Sequence, residues 1–444
     1  MGGDPPGAGP GFGNEQPATG RLGTVSEMTD QTVAVDRHPQ PDDASTGRAV
    51  RPRPLLVGAY AFPHGDATSN RLLQLARSAA PEGTRTLVVN DWPCEVAFPA
   101  RPPDATGVDL VTLRIRGLHR LTRMPARLAR PVRVLRAVRG RGVRRGDVSV
   151  VLLPMALMTL GNWAVLRLVL RCPVVVDASE RHDRRQFRRG WLTPYYVRHR
   201  WSTFLATRLV PRATAVSTTL AGYLTGHGLE VLVVPPQVDC DDFPVGRPPA
   251  PSTGLRLLYA GTPGRKDMLD VIVRGISLLT PEQQRRVSLT IAGVTRADAA
   301  ARSDLDVALL DGVAAEVRFL GRVPRDTVLT LLGQSHFSML VRPTGGYAAN
   351  GFPSKVPESL AAGCPVLLNH TSDLASYVHD GVEGLVLAGN TPEDVRQAVV
   401  RALRLRDEEW TAMSRAARSR ARESFDHRAW RDRVSAFVAA GSRR

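Results

Sequence analysis

The sequence predicts an α/β protein made of two similar halves, each a parallel sheet with helices on both faces. Three observations predict it. Short, continuously apolar runs such as "PLLVGAYAF", "TRTLVVN", "VSVVLLP" and "CPVVVDASE" alternate with longer helical stretches. Strands that are apolar throughout, rather than at every second residue, belong to sheets buried on both faces, and strand–helix alternation makes such sheets parallel. The alternation breaks once, in the Pro- and Asp-rich "PPQVDCDDFPVGRPPAPSTG" at 235–254, and then starts again.

Taken in order, residues 1–50 are rich in Gly, Pro, Asp and Thr without periodicity. Too little apolar surface is available there to offset ordering entropy, so a disordered tail is expected. Residues 51–236 form the first half. Order begins near Leu55, a loop and helix follow in "HGDATSNRLLQLARSAA", and a helix is expected near 156–170. "TRLVPRATAVSTTLAGYLTGHGL" gives a short strand and a helix, and "EVLVVPP" closes the half. Residues 237–253 read as a linker. The second half, 254–415, runs through "LRLLYAGTPG", "VSLTIAGV", "VRFLG", "HFSMLV", "CPVLLN" and "GLVLAG", with a helical segment at 416–444. Ligands of such sheets bind at the carboxyl ends of strands, where the strand order reverses, so the cleft between the halves is the expected site.

Composition narrows the function. Over 444 residues, 43% hydrophobic and 23% charged content is that of a globular protein, and 5% aromatics leave a core of Val, Leu and Ala. A formal net charge of +17 favours polyanionic partners: nucleic acid, an anionic membrane face or phosphorylated substrates. No helix-turn-helix, RRM or zinc pattern is recognisable and aromatics for base stacking are few, which argues against nucleic acid. Cys94, Cys172, Cys240 and Cys364 are scattered without metal-site spacing and read as reduced thiols. The first residues contain no apolar signal-peptide core, and the apolar stretch at 148–176 is interrupted by Pro154, Asn162, Arg167 and Arg171, so it reads as strand, helix, strand rather than a membrane span. A cytoplasmic protein is expected. In the arginine-dense segment 114–146, Leu121, Met124, Leu128, Val132, Leu135 and Val138 recur at helical steps, interrupted by Pro125 and Pro131. With a second basic patch at 181–191, this suits peripheral contact with the inner, anionic face of a membrane; a solvated face in an arginine-rich chain is the alternative.

Lysine points to the chemistry. Of 59 Lys and Arg residues only two, Lys266 and Lys355, are lysine. Both fall at turns leading into helices. In "LLYAGTPGRKDMLDVIVRGI", Gly261 and Gly264 let backbone approach an anion, and Lys266 sits near a helix start, where free N–H groups favour phosphate. An ordinary strand-to-helix turn is the bland reading of that segment. In "GFPSKVPESLAAGCPVLLN", Ser354 and Lys355 precede a helix that has Pro357 and Glu358 in its first turn and Gly363 at its end. Lys355 is a second phosphate candidate; Glu358 could accept bonds from ribose hydroxyls or simply complement the helix dipole. "VDCDDF" holds the triplet of Asp239 and Asp241, a D-x-D spacing that can hold a metal.

The "GFPSKVPESLAAGCPVLLN" stretch resembles the signature of GT-B glycosyltransferases of the group 1, or family 4, type. "TAVSTTLAGYL", "VPPQVDCDDF", "YAGTPGRKD", "VRFLGRVPRDTV" and "SDLASYVHDGVEGLVL" also look like that family, in its usual order. The resemblance runs from about residue 54 to the end and is strongest over 257–386. It implies two Rossmann-like domains facing a central cleft and a retaining hexosyltransferase that uses a nucleotide-diphosphate sugar as co-substrate. No cofactor or metal is implied, since the triplet of Asp239 and Asp241 then falls in the linker. Lys266 would contact the donor pyrophosphate, Glu358 the ribose and the backbone at Arg322 and Val323 the base. Gly65 would face the phosphates or acceptor from the other domain. Gly261, Thr262, Arg342, Asn350, Gly351, Phe352, Pro353, Ser354 and Lys355 complete the donor site. Lys266 and Lys355 would act catalytically on the departing diphosphate.

Departures from the family pattern matter. Many members carry acids at both ends of an E-x7-E spacing; here the first is Asn350 and only Glu358 remains. Thr262 stands where an Arg is usual, and Arg342 with Lys355 is expected to supply the missing charge. Ser179 falls where many members place a His, which makes nearby Glu180 and His182 the acceptor-side candidates. Acceptors of related enzymes are often lipid-linked, so synthesis of a cell-surface polysaccharide, glycolipid or glycoside is the expected role. A non-catalytic or epimerase-like nucleotide-sugar-binding protein is the alternative.

Overall fold

The computed structural model describes residues 52–58, 67–90, 107–113, 130–144, 146–155, 157–182, 192–244, 248, 250–263, 267–301 and 306–440. The expected tail at 1–50, Gly65, Lys266, Cys94 and much of both basic segments lie outside them.

The first half contains β1 (Arg53–Val57), α1 (Ala67–Ala79), β2 (Thr86–Asn90), β3 (Val108–Thr112), α2 (Arg130–Gly140), β4 (Val148–Pro154), α3 (Leu157–Leu170), β5 (Val174–Ala178), α4 (Pro194–Leu209), β6 (Arg212–Ala215), α5 (Thr218–Thr225) and β7 (Glu230–Val233). Its sheet has the order β3-β2-β1-β4-β5-β6-β7, with every pairing parallel. Leu55, Leu56 and Val57 are consecutive and all fully buried, which requires cover on both faces of the sheet. The stretch at 148–176 resolves into β4, α3 and β5 as its interruptions predict, and no helix among the described residues is long and apolar enough to cross a membrane.

The second half contains β8 (Leu255–Ala260), α6 (Leu269–Ser277), α7 (Pro281–Arg285), β9 (Val287–Ala292), α8 (Arg296–Ala300), β10 (Glu316–Gly321), α9 (Arg325–Gln334), β11 (Phe337–Leu340), α10 (Tyr347–Asn350), α11 (Lys355–Ala361), β12 (Val366–Leu368) and β13 (Gly384–Val386). Its sheet repeats the pattern in the order β10-β9-β8-β11-β12-β13, again parallel. Three helices follow: α12 (Pro392–Leu403), α13 (Asp407–Ser424) and α14 (His427–Ala440). α13 runs across residue 416 and packs on α11, whereas α14 returns to the first half and packs on α1. There Trp430, Val434 and Val438 share a core with Leu56 and Leu72.

Hydrogen bonds tie the halves together. Ser217 Oγ donates to the Asn350 carbonyl at 3.1 Å, and Thr218 donates through its N–H and hydroxyl to Asp373 at 2.7 and 2.6 Å. At the linker, Val238 N–H donates to Phe425 O at 2.9 Å and His427 N–H to Val238 O at 3.0 Å.

Two elements, β3 and α4, lie outside the sequence reading. β3 is a short edge strand with Asp109 at its second position, paired with Arg53. α4 buries Tyr196, Ser202, Thr203 and Ala206 and exposes Trp201 and Phe204, so its apolar period points to solvent.

Candidate functional site

In the second sheet β8 pairs with β9 on one side and β11 on the other, so the strand order reverses between β8 and β11. Helices leave toward opposite faces at such a point, and a crevice opens at the carboxyl strand ends. Gly261 follows β8 with φ at +145°, a conformation that side-chain-bearing residues rarely adopt. A Cβ there would strike Cε and Nζ of Lys355, so the missing side chain is the slot in which the lysine lies. Arg342 follows β11. Its N–H donates to Asn369 Oδ1 at 2.9 Å, and its carbonyl accepts from Asn369 Nδ2 at 2.8 Å and Asn390 Nδ2 at 3.2 Å. Side chains thus fix the backbone where strand pairing ends.

Both cations converge on Asp267. Lys355 Nζ donates to Asp267 Oδ2, Arg342 Nε donates to Oδ1 at 2.9 Å, and the Tyr259 hydroxyl lies 3.3 Å from Oδ2. Lys355 Nζ also stands 4.6 Å from the centroid of the Tyr259 ring. Burial pushes the Asp267 pKa up, but the charges and hydrogen bonds of Lys355 and Arg342 outweigh it and hold the carboxyl below its usual value. The Lys355 pKa is lowered, because burial outweighs the pull of Asp267. Two cations here share one carboxylate. The site is built with surplus positive charge in poor contact with water, and an incoming anion would relieve it.

One turn along α11, Glu358 accepts from Arg325 Nη1 at 3.2 Å, and both side chains are 23% exposed. Burial raises the Glu358 pKa against the opposing charge of Arg325. The other expected donor residues fall into distinct places. Asn350 turns its amide back to the Gly346 carbonyl at 3.1 Å. Phe352 directs its ring into an aromatic cluster with Tyr377 and Phe425, and Pro353 is buried beside it. Ser354 is half-buried at the start of α11 and makes no side-chain capping bond. Thr262 and Arg322 are exposed and Val323 is half-buried, the last two following Gly321, whose N–H donates to Val294 O at 3.1 Å.

The facing wall comes from the first half. A Cβ on Gly351 would stand 3.9 Å from the Ser179 carbonyl, so the segment before α11 faces the end of β5. Just beyond, His182 Nε2 lies 3.1 Å from the Tyr195 hydroxyl and 3.4 Å from Glu180 Oε2. The His182 side chain is only 10% exposed; its ring meets Tyr195 and His199 edge-on, and its N–H donates to His199 Nε2 at 3.3 Å. Burial, with the His182 charge second, pushes the His199 pKa down to about 4.

Arg342 and Lys355 therefore share one cluster with Glu358 beside it, while Glu180 and His182 form another. Asp267, Arg325, Tyr195 and His199 were not among the sequence candidates. For Asp267 the available signal was an acid inside "GTPGRKD", a stretch otherwise read for anion binding. Asp239 and Asp241 are engaged by arginine: Asp239 by Arg77 and Arg428, each at 3.0 Å, and Asp241 by Arg428 at 2.9 Å. Cys172, Cys240 and Cys364 are free and buried, their thiols pushed up to about 11, 12 and 12 by burial.

Residues 254–404 match the family model described as glycosyl transferases group 1. Over 200 residues the chain is 30% identical to the D-inositol 3-phosphate glycosyltransferases of Mycolicibacterium paratuberculosis (strain ATCC BAA-968 / K-10) and Mycobacterium avium (strain 104). Those matches cover 44% of this chain and 44% and 46% of the relatives, so the chain spans less than half the length of the curated relatives it matches. Among solved structures, Anabaena HepE in complex with UDP and glucose superposes with a TM-score of 0.62 at 14% identity, covering 88% of this chain and 100% of that one. Sucrose-phosphate synthase from Thermosynechococcus elongatus superposes with 0.62 at 14% identity, covering 88% and 99%. At these identities the structures share the fold. Two Rossmann-like domains meeting at a crevice define the GT-B class. The chain has the GT-B fold, and its residues 254–404 match the group 1 glycosyltransferases.

Proposed function

We propose that the chain moves a sugar from a nucleotide-diphosphate sugar to an acceptor hydroxyl, with retention at the anomeric carbon. The observation that carries this reading is the surplus of positive charge where Arg342 and Lys355 meet at Asp267, at the reversal of strand order. Breaking the glycosidic bond leaves negative charge on the departing diphosphate. Cations already placed and partly shielded from water stabilise that charge most at the moment it develops. Asp267 and the slot at Gly261 position Lys355; the asparagine bonds position Arg342. Lys266, next to Asp267 in sequence, completes the clamp. Glu358 takes the ribose hydroxyls, and Arg325 opposes the burial that would otherwise neutralise it. The acceptor hydroxyl enters from the wall of Glu180 and His182 and attacks on the face from which the diphosphate leaves, so no protein nucleophile is assigned.

Two names support the choice of donor and acceptor classes. HepE was solved with UDP-glucose, which makes uridine diphosphate sugars the first donors to test. The curated relatives act on an inositol phosphate, and a phosphorylated or lipid-linked acceptor suits a chain of net charge +17. Synthesis of a surface polysaccharide, glycolipid or glycoside at the cytoplasmic face of a membrane follows. Because the protein's own cations neutralise the leaving group, chelation by EDTA should leave turnover unchanged; a loss restored by a divalent cation would remove the metal-independent mechanism.

The direct test is thermal-shift screening against UDP, GDP, ADP and their sugars, followed by nucleoside-diphosphate release with acceptors. A ligand at a hundred times its Kd stabilises the fold by about 2.7 kcal/mol, a readily measured rise in melting temperature. No shift with any nucleotide would overturn the reading. A shift without turnover on any acceptor would favour a nucleotide-sugar-binding protein.

A further inference from the structure

Helix α4 is inside out. Its small polar residues Ser202 and Thr203 are buried, whereas Val197, Trp201 and Phe204 stand 40%, 55% and 48% exposed. Steps of four and three place these three on one stripe. Leu192, just before α4, and Leu168 on the adjoining α3 are also exposed, at 79% and 76%. Trp201 and Phe204 pack edge-on at 5.8 Å. Arginine flanks it: Arg198 lies over the Tyr195 ring and Arg208 over the Phe204 ring, each at 5.3 Å. No Asp or Glu occurs in the sequence between Asp183 and Glu230. Such an apolar stripe, rimmed by one sign of charge, is the mark of an interaction surface.

We propose that this face of α4 seats the protein on an anionic lipid bilayer. Tryptophan and phenylalanine with aliphatic neighbours enter the boundary between headgroups and acyl chains, and the flanking arginines pair with lipid phosphates. A second copy of the chain fits less well, since two-fold pairing of α4 would set its arginines against each other. Nucleic acid would use the cations and rings but leave Leu168, Leu192 and Val197 without a role. The amino end of α4 carries Tyr195 and His199, which hold His182, so a bilayer seated here lies beside the acceptor-side wall. The proposal does not rest on the donor reading.

The test is flotation of the full chain with vesicles of equal parts phosphatidylglycerol and phosphatidylcholine, against phosphatidylcholine alone. The wild type should float with the anionic vesicles. Trp201→Ser combined with Phe204→Ser should lower the bound fraction at least about fivefold. Arg198→Gln with Arg208→Gln should remove the preference for anionic lipid. All sites are exposed, so melting temperatures and any nucleotide-induced shift should match wild type, which keeps failure here distinct from failure of the donor reading. Flotation of the Trp201/Phe204 variant at the wild-type level, or no flotation of the wild type, would overturn the proposal. So would sedimentation velocity showing that the variant splits a wild-type dimer, or duplex DNA binding lost with the same residues.

Discussion

Asp267 and Asp239 are both 8% exposed, and each is gripped by two cations from distant parts of the chain. Their surroundings then diverge. Around Asp239, Arg428 also reaches Asp241 at 2.9 Å and Asp426 at 3.1 Å, and His427 lies 3.6 Å from the carboxylate. Three carboxylates there meet two guanidiniums and an imidazole, so no positive charge is in surplus. Around Asp267 one carboxylate meets two cations, and the further acid that Lys355 senses, Glu358, is taken by Arg325. The first network joins α1, the linker and the start of α14. The second sits where the strand order reverses between β8 and β11, whereas the first also lines a pocket with Ala80, Glu82 and Arg431. We propose that surplus positive charge, rather than burial or the number of ion pairs, marks the second network as the ligand site.

The largest expected effect breaks the unbalanced cluster. Lys355→Met should lower donor turnover about 100- to 1,000-fold, the scale of losing one pre-placed charge contact to the transition state, with little change in melting temperature. Lys355→Arg should also impair turnover, because a planar guanidinium does not fit a slot shaped by Gly261. Full activity of both variants in a nucleoside-diphosphate release assay would mean that Lys355 is no part of the clamp.

Asparagine at the two aspartates sharpens the contrast. Asp239→Asn should cost about 3 kcal/mol of stability, since it strands buried arginine, while kcat in surviving folded protein stays near wild type. Asp267→Asn should lower stability and kcat together, because it frees the lysine and arginine that the carboxylate positions. Chemical denaturation paired with kinetics reads both. If Asp239→Asn lost kcat and Asp267→Asn kept it, the roles assigned to the two networks would be reversed.

The strands were legible in the sequence because a strand buried on both faces is apolar at every position. Lys355 and Glu358 were candidates from the sequence pattern and Arg342 from the family resemblance, and the structure sets Lys355 and Arg342 on one carboxylate. Asp267 was not legible, because an acid beside a phosphate-binding turn contradicts the charge such a turn attracts; its role appears only once Arg342 and Lys355 are brought to it. The seam was hidden by separation, with Arg77 and Asp239 162 residues apart. α4 was hidden by its own composition. A helix that turns Trp201 and Phe204 outward and Ser202 and Thr203 inward defeats any reading that sends apolar residues to the core.

A half-buried group, His199 on the facing wall, separates from Asp239 by pH. Its folded pKa of about 4 lies below the unfolded value of about 6.5. The native state therefore favours the neutral ring, whose Nε2 accepts the His182 N–H. Its contribution is fully present above about pH 6.5 and is lost as pH falls toward 4, on the order of 2–3 kcal/mol in all. Asp239, held below its usual pKa despite burial by its His427, backbone and Arg428 contacts, contributes above about pH 4 and loses its share only below that. The two acid limbs should thus be separable in a plot of melting temperature against pH. His199→Gln preserves an acceptor without a titrating ring, so it should flatten the limb between pH 6.5 and 4 and leave the lower limb intact. Asp239→Asn should do the reverse. If His199→Gln left the upper limb unchanged, the ring would not be held neutral on this wall, and the orientation that the proposed acceptor role of His182 requires would lose its support.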